Sequence, residues 1–162
     1  MSPEPESPPF ADVLAERVVL RALLQHVEFR DVELPRLSAE VFSYMAHRRM
    51  LQAIIWAHAD RGGELGHETF IWWLQQNRVP EEVRLRAALA YEAVIESGSR
   101  LAVSAALSTL RDLHRRRAAS EVVSFMIAGL EQDLSSVEIL TGAQLRLAAI
   151  APTAAQGEAR IV

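Results

Sequence analysis

The chain has 162 residues, of which 50% are hydrophobic and 23% are charged, and its formal net charge at pH 7 is −4. These values are typical of a globular protein with one main core and not of a disordered chain. The negative net charge is also not typical of a protein that binds DNA through a broad basic surface. All 17 basic residues are arginines and there is no cysteine, which excludes disulfides, thiolate metal sites, Schiff-base lysines and ATP hydrolysis by a P-loop.

The first nine residues, MSPEPESPP, are acidic and rich in proline. This composition predicts a disordered leader at 1–9 and does not fit a signal or transit peptide. The longest dense apolar stretch covers residues 50–57, far short of the roughly 20 residues that a membrane-spanning helix needs. We therefore expect a cytoplasmic protein that makes no contact with a membrane.

Helical periodicity begins at residue 11. Apolar residues are dense on most sides of a predicted helix at 11–27, which is typical of a helix buried among its neighbours. Pro35 interrupts the segment that follows. Ser38 is then placed as the N-cap of a short helix that carries Phe42 and Met45.

Three further helices are predicted in the next part of the chain. The clearest amphipathic helix covers residues 46–59, and a pair of glycines at 62 and 63 ends it. The next helix has one apolar face, formed by Phe70, Trp73 and Leu74. Pro80 is predicted to occupy the first position of the third helix, because its φ angle suits that position and two acids follow it.

The pattern changes beyond residue 100. The segment 101–130 has no proline and a single glycine, which predicts a helix longer than is typical of globular proteins. Ser135 and Glu138 form a capping-box signature, and the helix that they open carries a coiled-coil-like seam. The seam consists of Leu140, Ala143, Leu147 and Ile150. Two such helices joined by a short turn should form an antiparallel hairpin, which we expect to dock one face on the globular part or on another subunit.

No strand-like alternation persists along the chain, so the predicted fold class is all-α. We expect a compact multi-helix globular subdomain followed by a long helical hairpin. The predicted divisions are the leader at 1–9, the globular subdomain at 10–98, the hairpin with its linker helix at 99–151 and a flexible tail at 152–162.

The sequence predicts no catalytic residue, no metal site, no nucleotide-binding site and no cofactor. Its histidines form no metal-binding motif, and His47 and His58, which share an apolar helix face, are interpreted as core or edge residues. Trp73 is predicted to lie in the core. For Trp72 the sequence leaves open core packing, stacking on nucleic-acid bases or anchoring a protein partner. The run of arginines at 115–117 fans over about 200° of a helix and predicts a solvated face.

Several short motifs follow one another at spacings that are familiar from a known family. They are Pro8-Pro9, Ala15-Glu16 with the run 18–24, Phe42, His47-Arg48 with 51–54, Gly62-Gly63, Thr69 with Leu74, Ala90-Tyr91, Arg116-Arg117 and the helix at 140–150. Together they resemble the amino-terminal domain and linker of DnaB-type replicative DNA helicases over residues 8–151. Arg21 stands where that family has a glycine, and Gly66 stands where it has an aspartate cap.

This resemblance implies a non-catalytic assembly role in DNA replication. In that family the domain pairs through its helical hairpin and builds a collar on the hexameric motor, where primase or loader proteins dock. The implied partners are a second copy of the chain, primase, the helicase motor domain or the helicase loader, without direct binding of nucleic acid. If the chain is a fragment, its parent would be an ATP-dependent DNA helicase.

The hairpin and the resemblance together predict an oligomer or partner interface. Its residues are Leu107, Leu110, His114, Arg116, Arg117, Val123, Met126, Leu130, Leu140 and Leu147.

Other interpretations stay open. The first 130 residues are also similar to the carboxy-terminal helicase-binding domain of bacterial primases, although the helix after Ser135 favours the helicase. An unrelated all-α adaptor for protein interactions is a further alternative. An all-α enzyme with catalytic acids outside any known motif is the least favoured one.

Overall fold

The computed structural model describes residues 10–60, 62–97 and 102–150. This part of the chain contains helices and no strand, which confirms the predicted all-α class. The helices are α1 (Val13–Gln25), α2 (Val27–Glu33), α3 (Met45–Asp60), α4 (His67–Gln76), α5 (Glu81–Glu96), α6 (Val103–Glu131) and α7 (Ser136–Ile150). None of these helices is both long and apolar enough to cross a membrane. The predicted leader at 1–9 and tail at 152–162 lie outside the described residues.

The chain divides into two compact units, Met1–Leu113 and His114–Val162. The division falls inside α6, whereas the sequence placed it at residues 98 and 99, before that helix begins. The reason is the apolar face at the start of α6, where Ala106, Leu107 and Leu110 are buried in the core of the first unit. The sequence pattern showed one long helix but did not show that its two halves belong to different units.

The core of the first unit is formed mainly by α1, α3, α4 and α5. Its largest fully buried apolar side chains are Phe42, Phe70, Leu20, Leu23, Met50, Leu51, Ile54, Leu74, Leu110, Val19 and Val94. The predicted apolar face of α4 is confirmed, because Phe70, Trp73 and Leu74 are all buried. The ring of Phe70 stacks on Tyr91 with a centroid distance of 5.6 Å. The Tyr91 hydroxyl donates to the Leu65 carbonyl at 2.8 Å, and burial raises the pKa of Tyr91.

Two elements begin after N-cap residues that the sequence analysis singled out, Ser38 and Pro80. Ser38 is an N-cap, as predicted, and accepts from the Glu40 N–H at 3.3 Å. It opens only the 3-10 turn Ala39–Val41, however, and Met45 already belongs to α3. Pro80 is the N-cap of α5 and not its first helical residue. Its ψ angle of 147° is extended, so the helix begins one residue later than the sequence predicted.

Gly62 and Gly63 end α3, as the sequence predicted, with φ angles of 71° and 93°. This left-handed region is open to glycine at little cost. Gly63 also lies against Arg30, since a Cβ atom built on it would be 2.5 Å from the Arg30 Nη2 atom. The buried Arg30 side chain in turn donates to the Leu23 carbonyl at 3.1 Å. The turn after α3 therefore depends on a glycine for both its backbone angle and its space.

Candidate interaction surface

The second unit is a helical hairpin whose helices approach each other at two glycines. A Cβ atom built on Gly129 of α6 would lie 2.9 Å from Ile139 Cγ1, and one built on Gly142 of α7 would lie 2.5 Å from Phe125 Cζ. Real Cβ contacts are longer than this, so a side chain at either glycine would require Ile139 or Phe125 to shift. These four residues define the inner faces of α6 and α7.

The turn between α6 and α7 carries the predicted capping box. The Ser135 N–H and hydroxyl both donate to Glu138 Oε2, at 2.9 and 2.8 Å, and the Glu138 N–H donates back to Ser135 Oγ at 3.3 Å. These hydrogen bonds lower the pKa of Glu138, because they favour the ionised carboxylate. The capping box therefore fixes the start of α7 immediately after the turn.

A second apolar face lies on the hairpin beside its inner contact. On α6 it consists of Val123, Met126 and Leu130, and on α7 of Leu140 and Leu147. Met126 is half-buried, and the other four expose between 49 and 68% of their surfaces. We call these five residues the hairpin face.

The two halves of the hairpin face lie on the same side of the hairpin. A helix turns by about 100° per residue. This turn places each of the five residues roughly 80–140° from the inner face of its own helix, in the same rotational sense along the chain. In an antiparallel pair, equal rotation from the contact brings both sets to one side. Ile127 and Val137, both exposed, extend this apolar surface at its outer edge.

The structure therefore brings together five of the ten predicted interface residues as the hairpin face, and one of the other five, Arg116, is aligned with it. Leu107 and Leu110 are buried in the core of the first unit, so the prediction that they lie on a free interface is wrong. They pack inward because the first half of α6 completes that core.

The predicted basic members of the interface lie at the start of the second unit. Arg116 is exposed and lies seven residues, or about two turns, before Val123 on the same side of α6. His114 and Arg117 are half-buried and lie on other sides of the helix. Only Arg116 is therefore aligned with the hairpin face.

The seam predicted on α7 is also corrected. Ile139 and Ala143 of α7 are buried within the hairpin, whereas Leu140 and Leu147 are exposed. The glycine contacts rotate α7 so that the two leucines leave the contact with α6. Spacing alone does not reveal this rotation. The two glycines are the signal in the sequence that could have indicated it, because glycine allows a close approach.

A buried polar pair lies in the core of the first unit. His47 Nδ1–H donates to Glu16 Oε2 at 2.6 Å, and the Ser43 N–H donates to Glu16 Oε1 at 2.5 Å. Glu16 is 0% exposed and His47 3%. The pair therefore ties α1 to the start of α3, and the interpretation of His47 as a core histidine fits this contact.

The role of Glu16 was not predicted from the sequence. A carboxylate on the apolar side of α1, among Ala15, Val19 and Leu20, is the signal that could have found it, because buried charges occur with partners. His58 is half-buried at the edge of α3 and lies 3.6 Å from Asp31. Among the described residues no group of three or more histidine or acidic side chains is arranged to hold a metal ion.

Comparison with known proteins gave no relative: no family model, no curated protein and no solved structure matches the chain.

Proposed function

We propose that this chain is a non-catalytic assembly module that associates with a second copy of itself through the hairpin face. The observation that carries the proposal is the pair of aligned apolar stripes on α6 and α7, which remain exposed after the hairpin has formed its inner contact. Two such faces placed together would complete a four-helix bundle. A self-complementary face of this kind suits a two-fold symmetric dimer.

The apolar area of the hairpin face suggests how strong this association is. Fully burying one Val or Leu side chain contributes about 1.5–3 kcal/mol, so burying four half-exposed ones contributes on the order of 4 kcal/mol per copy and about 8 kcal/mol per dimer. Association itself costs about 4–15 kcal/mol in lost freedom. At the lower end of that cost the net stabilisation is about 4 kcal/mol, which corresponds to a dissociation constant of about 1 mM. The hairpin face therefore supports at most a weak dimer that dissociates on dilution, and it does not support an obligate one.

The replication role is proposed on the sequence resemblance to DnaB-type helicase amino-terminal domains. In that context the hairpin face would pair copies of the domain, while primase, the helicase loader or the helicase motor domain would be the further partners. The helicase-binding domain of primases is the alternative within the same class. An unrelated all-α adaptor would share the self-association but not these partners.

Light scattering across protein concentrations tests the self-association. The double variant Leu140→Glu, Leu147→Glu places two charges on the hairpin face, and because both side chains are already exposed we expect it to fold. The wild-type chain should pass from monomer to dimer as its concentration rises, and the double variant should stay monomeric. Leu89→Glu on α5 is the matched control, since Leu89 is an equally exposed leucine of the first unit. A wild-type chain that stays monomeric up to about 1 mM would contradict the proposal, since that limit leaves less than about 4 kcal/mol for association.

A second experiment tests the replication role separately. The chain is mixed with the primase and with the replicative helicase of its own organism, and the mass of each eluting complex is measured. A complex with primase would support the helicase-type module, and a complex with the helicase alone would support the primase-type module. Self-association without either complex would favour the unrelated adaptor.

A further inference from the structure

The hairpin of the second unit closes through a short turn. Residues 132–135 connect α6 to α7, and we call them the hinge. The Leu134 N–H donates to the Gly129 carbonyl at 3.0 Å. The Asp133 N–H donates to the Leu130 carbonyl at 3.3 Å. These two hydrogen bonds form a Schellman motif, which ends α6 and reverses the direction of the chain.

Asp133 holds the hinge in a backbone conformation that favours glycine. Its φ angle is 56°, in the left-handed region, which costs free energy for residues with a side chain, although aspartate tolerates it better than most. Residues 131–136 contain neither proline nor glycine. With Asp133 in the right-handed α region, α6 and α7 would therefore continue as one helix. The hinge thus has a closed and an open conformation.

The contact that the hinge closes is small and lies within the second unit. In the described part of that unit, the buried apolar side chains are Val122, Ile139 and Ala143. Gly129 and Gly142 provide the close approach between the two helices. All five residues belong to α6 or α7, so α6 of one copy and α7 of a second copy can make the same contact.

We propose that two copies of the chain exchange α7, so that α7 of each copy packs on α6 of the other and both hinges are open. Exchange of an element through a short, strained hinge is a low-cost route to a dimer. The exchanged dimer keeps the inner contacts of two hairpins and releases Asp133 from its left-handed conformation in both copies. It forms when the chain folds at high concentration, because α7 must leave its own α6. It persists on dilution for the same reason.

The exchange does not depend on the hairpin face. A dimer formed through that face leaves each hairpin closed and dissociates promptly on dilution. In the exchanged dimer Leu140 and Leu147 stay exposed, because α7 packs on the second copy in the same way as on its own α6.

A disulfide between the two helices distinguishes a closed hairpin from an exchanged one. The chain has no cysteine, and a Cβ atom built on Gly129 would lie 2.9 Å from Ile139 Cγ1. The variant Gly129→Cys, Ile139→Cys therefore brings two thiols close enough to form a disulfide. It is refolded at micromolar or at millimolar concentration, oxidised, and separated by mass without reduction.

The dilute sample should contain the disulfide within one chain, and the concentrated sample should also contain a covalent dimer. Ile139→Cys alone is the control, because it gives the level of random pairing between chains. Adding Leu140→Glu and Leu147→Glu should leave the covalent dimer as abundant as before. The chain without any substitution, refolded at millimolar concentration and then diluted, should retain a dimer in light scattering.

Asp133→Gly tests the hinge. It should lower the fraction of exchanged dimer about tenfold or more, because glycine favours the left-handed turn and disfavours a continuous helix in both copies. Arg78→Gly is the matched control, since Arg78 has a φ angle of 54° after α4. The Val79 N–H donates to the Leu74 carbonyl at 3.1 Å there, in the same motif, so this exchange of residue should leave the dimer unchanged.

The proposal is overturned if the concentrated sample gives no more covalent dimer than Ile139→Cys alone, or if the unsubstituted chain returns to monomer at once on dilution. A covalent dimer that is lost with Leu140→Glu and Leu147→Glu would also contradict the exchange. Equal exchange in the Asp133→Gly chain would contradict the role of the hinge. The absence of a promptly reversible dimer would instead refute only association through the hairpin face.

Discussion

Glu16→Ala should be the most destabilising exchange of a single acid in the first unit. The Glu16 carboxylate is buried and receives hydrogen bonds from His47 and from the backbone of Ser43. Its removal leaves both donors in the core without an acceptor. Leaving a buried donor without a partner costs about 1–3 kcal/mol for each donor. The loss of both hydrogen bonds is therefore a large part of the roughly 5–15 kcal/mol that stabilises a typical domain.

The assay is urea denaturation followed by circular dichroism, with the free energy of unfolding compared between variants. Glu92→Ala is the control, because Glu92 is exposed and lies only at 3.9 Å from His67, so its loss should change stability by less than about 0.5 kcal/mol. The double variant Glu16→Leu, His47→Leu should cost less than the sum of the single exchanges, by about 1–3 kcal/mol, because the two side chains share one interaction. The reasoning is refuted if Glu16→Ala costs no more than the control.

Three further predictions concern other parts of the chain. Leu110→Asp should unfold the first unit and not release a folded monomer, which the loss of cooperative thermal unfolding would show, because Leu110 is 1% exposed in that core. Gly63→Ala should lower the unfolding temperature, since the new methyl group would lie against the Arg30 guanidinium at an unfavourable φ; an unchanged temperature would contradict the account of this turn. The hydrogen bonds from Ser135 lower the pKa of Glu138. The capping box therefore stabilises α7 fully at pH values above the ordinary carboxyl pKa, and this stabilisation is lost as the pH falls through the lowered pKa of Glu138. Circular dichroism during acid titration should show this loss of helix, and Glu138→Gln should remove that pH-dependent part.

Local patterns predicted much of the fold. The apolar face of α4, the glycine pair after α3 and the capping box of Ser135 and Glu138 each depend on residues within one or two helical turns. Such features are readable from spacing, since the physical interactions that create them are local. The same reasoning placed Trp73 in the core.

Contacts between distant residues could not be predicted in this way. The pairing of Glu16 with His47 joins α1 to α3 across 31 residues, and no periodicity reports it. The rotation of α7 depends on where Gly129 and Gly142 meet their neighbours. The spacing of the leucines in the hairpin face therefore does not show that they turn away from α6. The burial of Leu107 and Leu110 likewise depends on how the start of α6 packs, which the spacing of these leucines does not determine.

The central claim is that the hairpin face joins two copies of this chain. Amide hydrogen exchange of the wild-type chain, measured over a dilution series, tests it most directly because it reports both association and its location. The account predicts that protection in residues 119–131 and 136–148 decreases on dilution, while protection in α3 and α4 stays constant. Protection that does not change with concentration in the hairpin, or that changes in α3 and α4 instead, would contradict it.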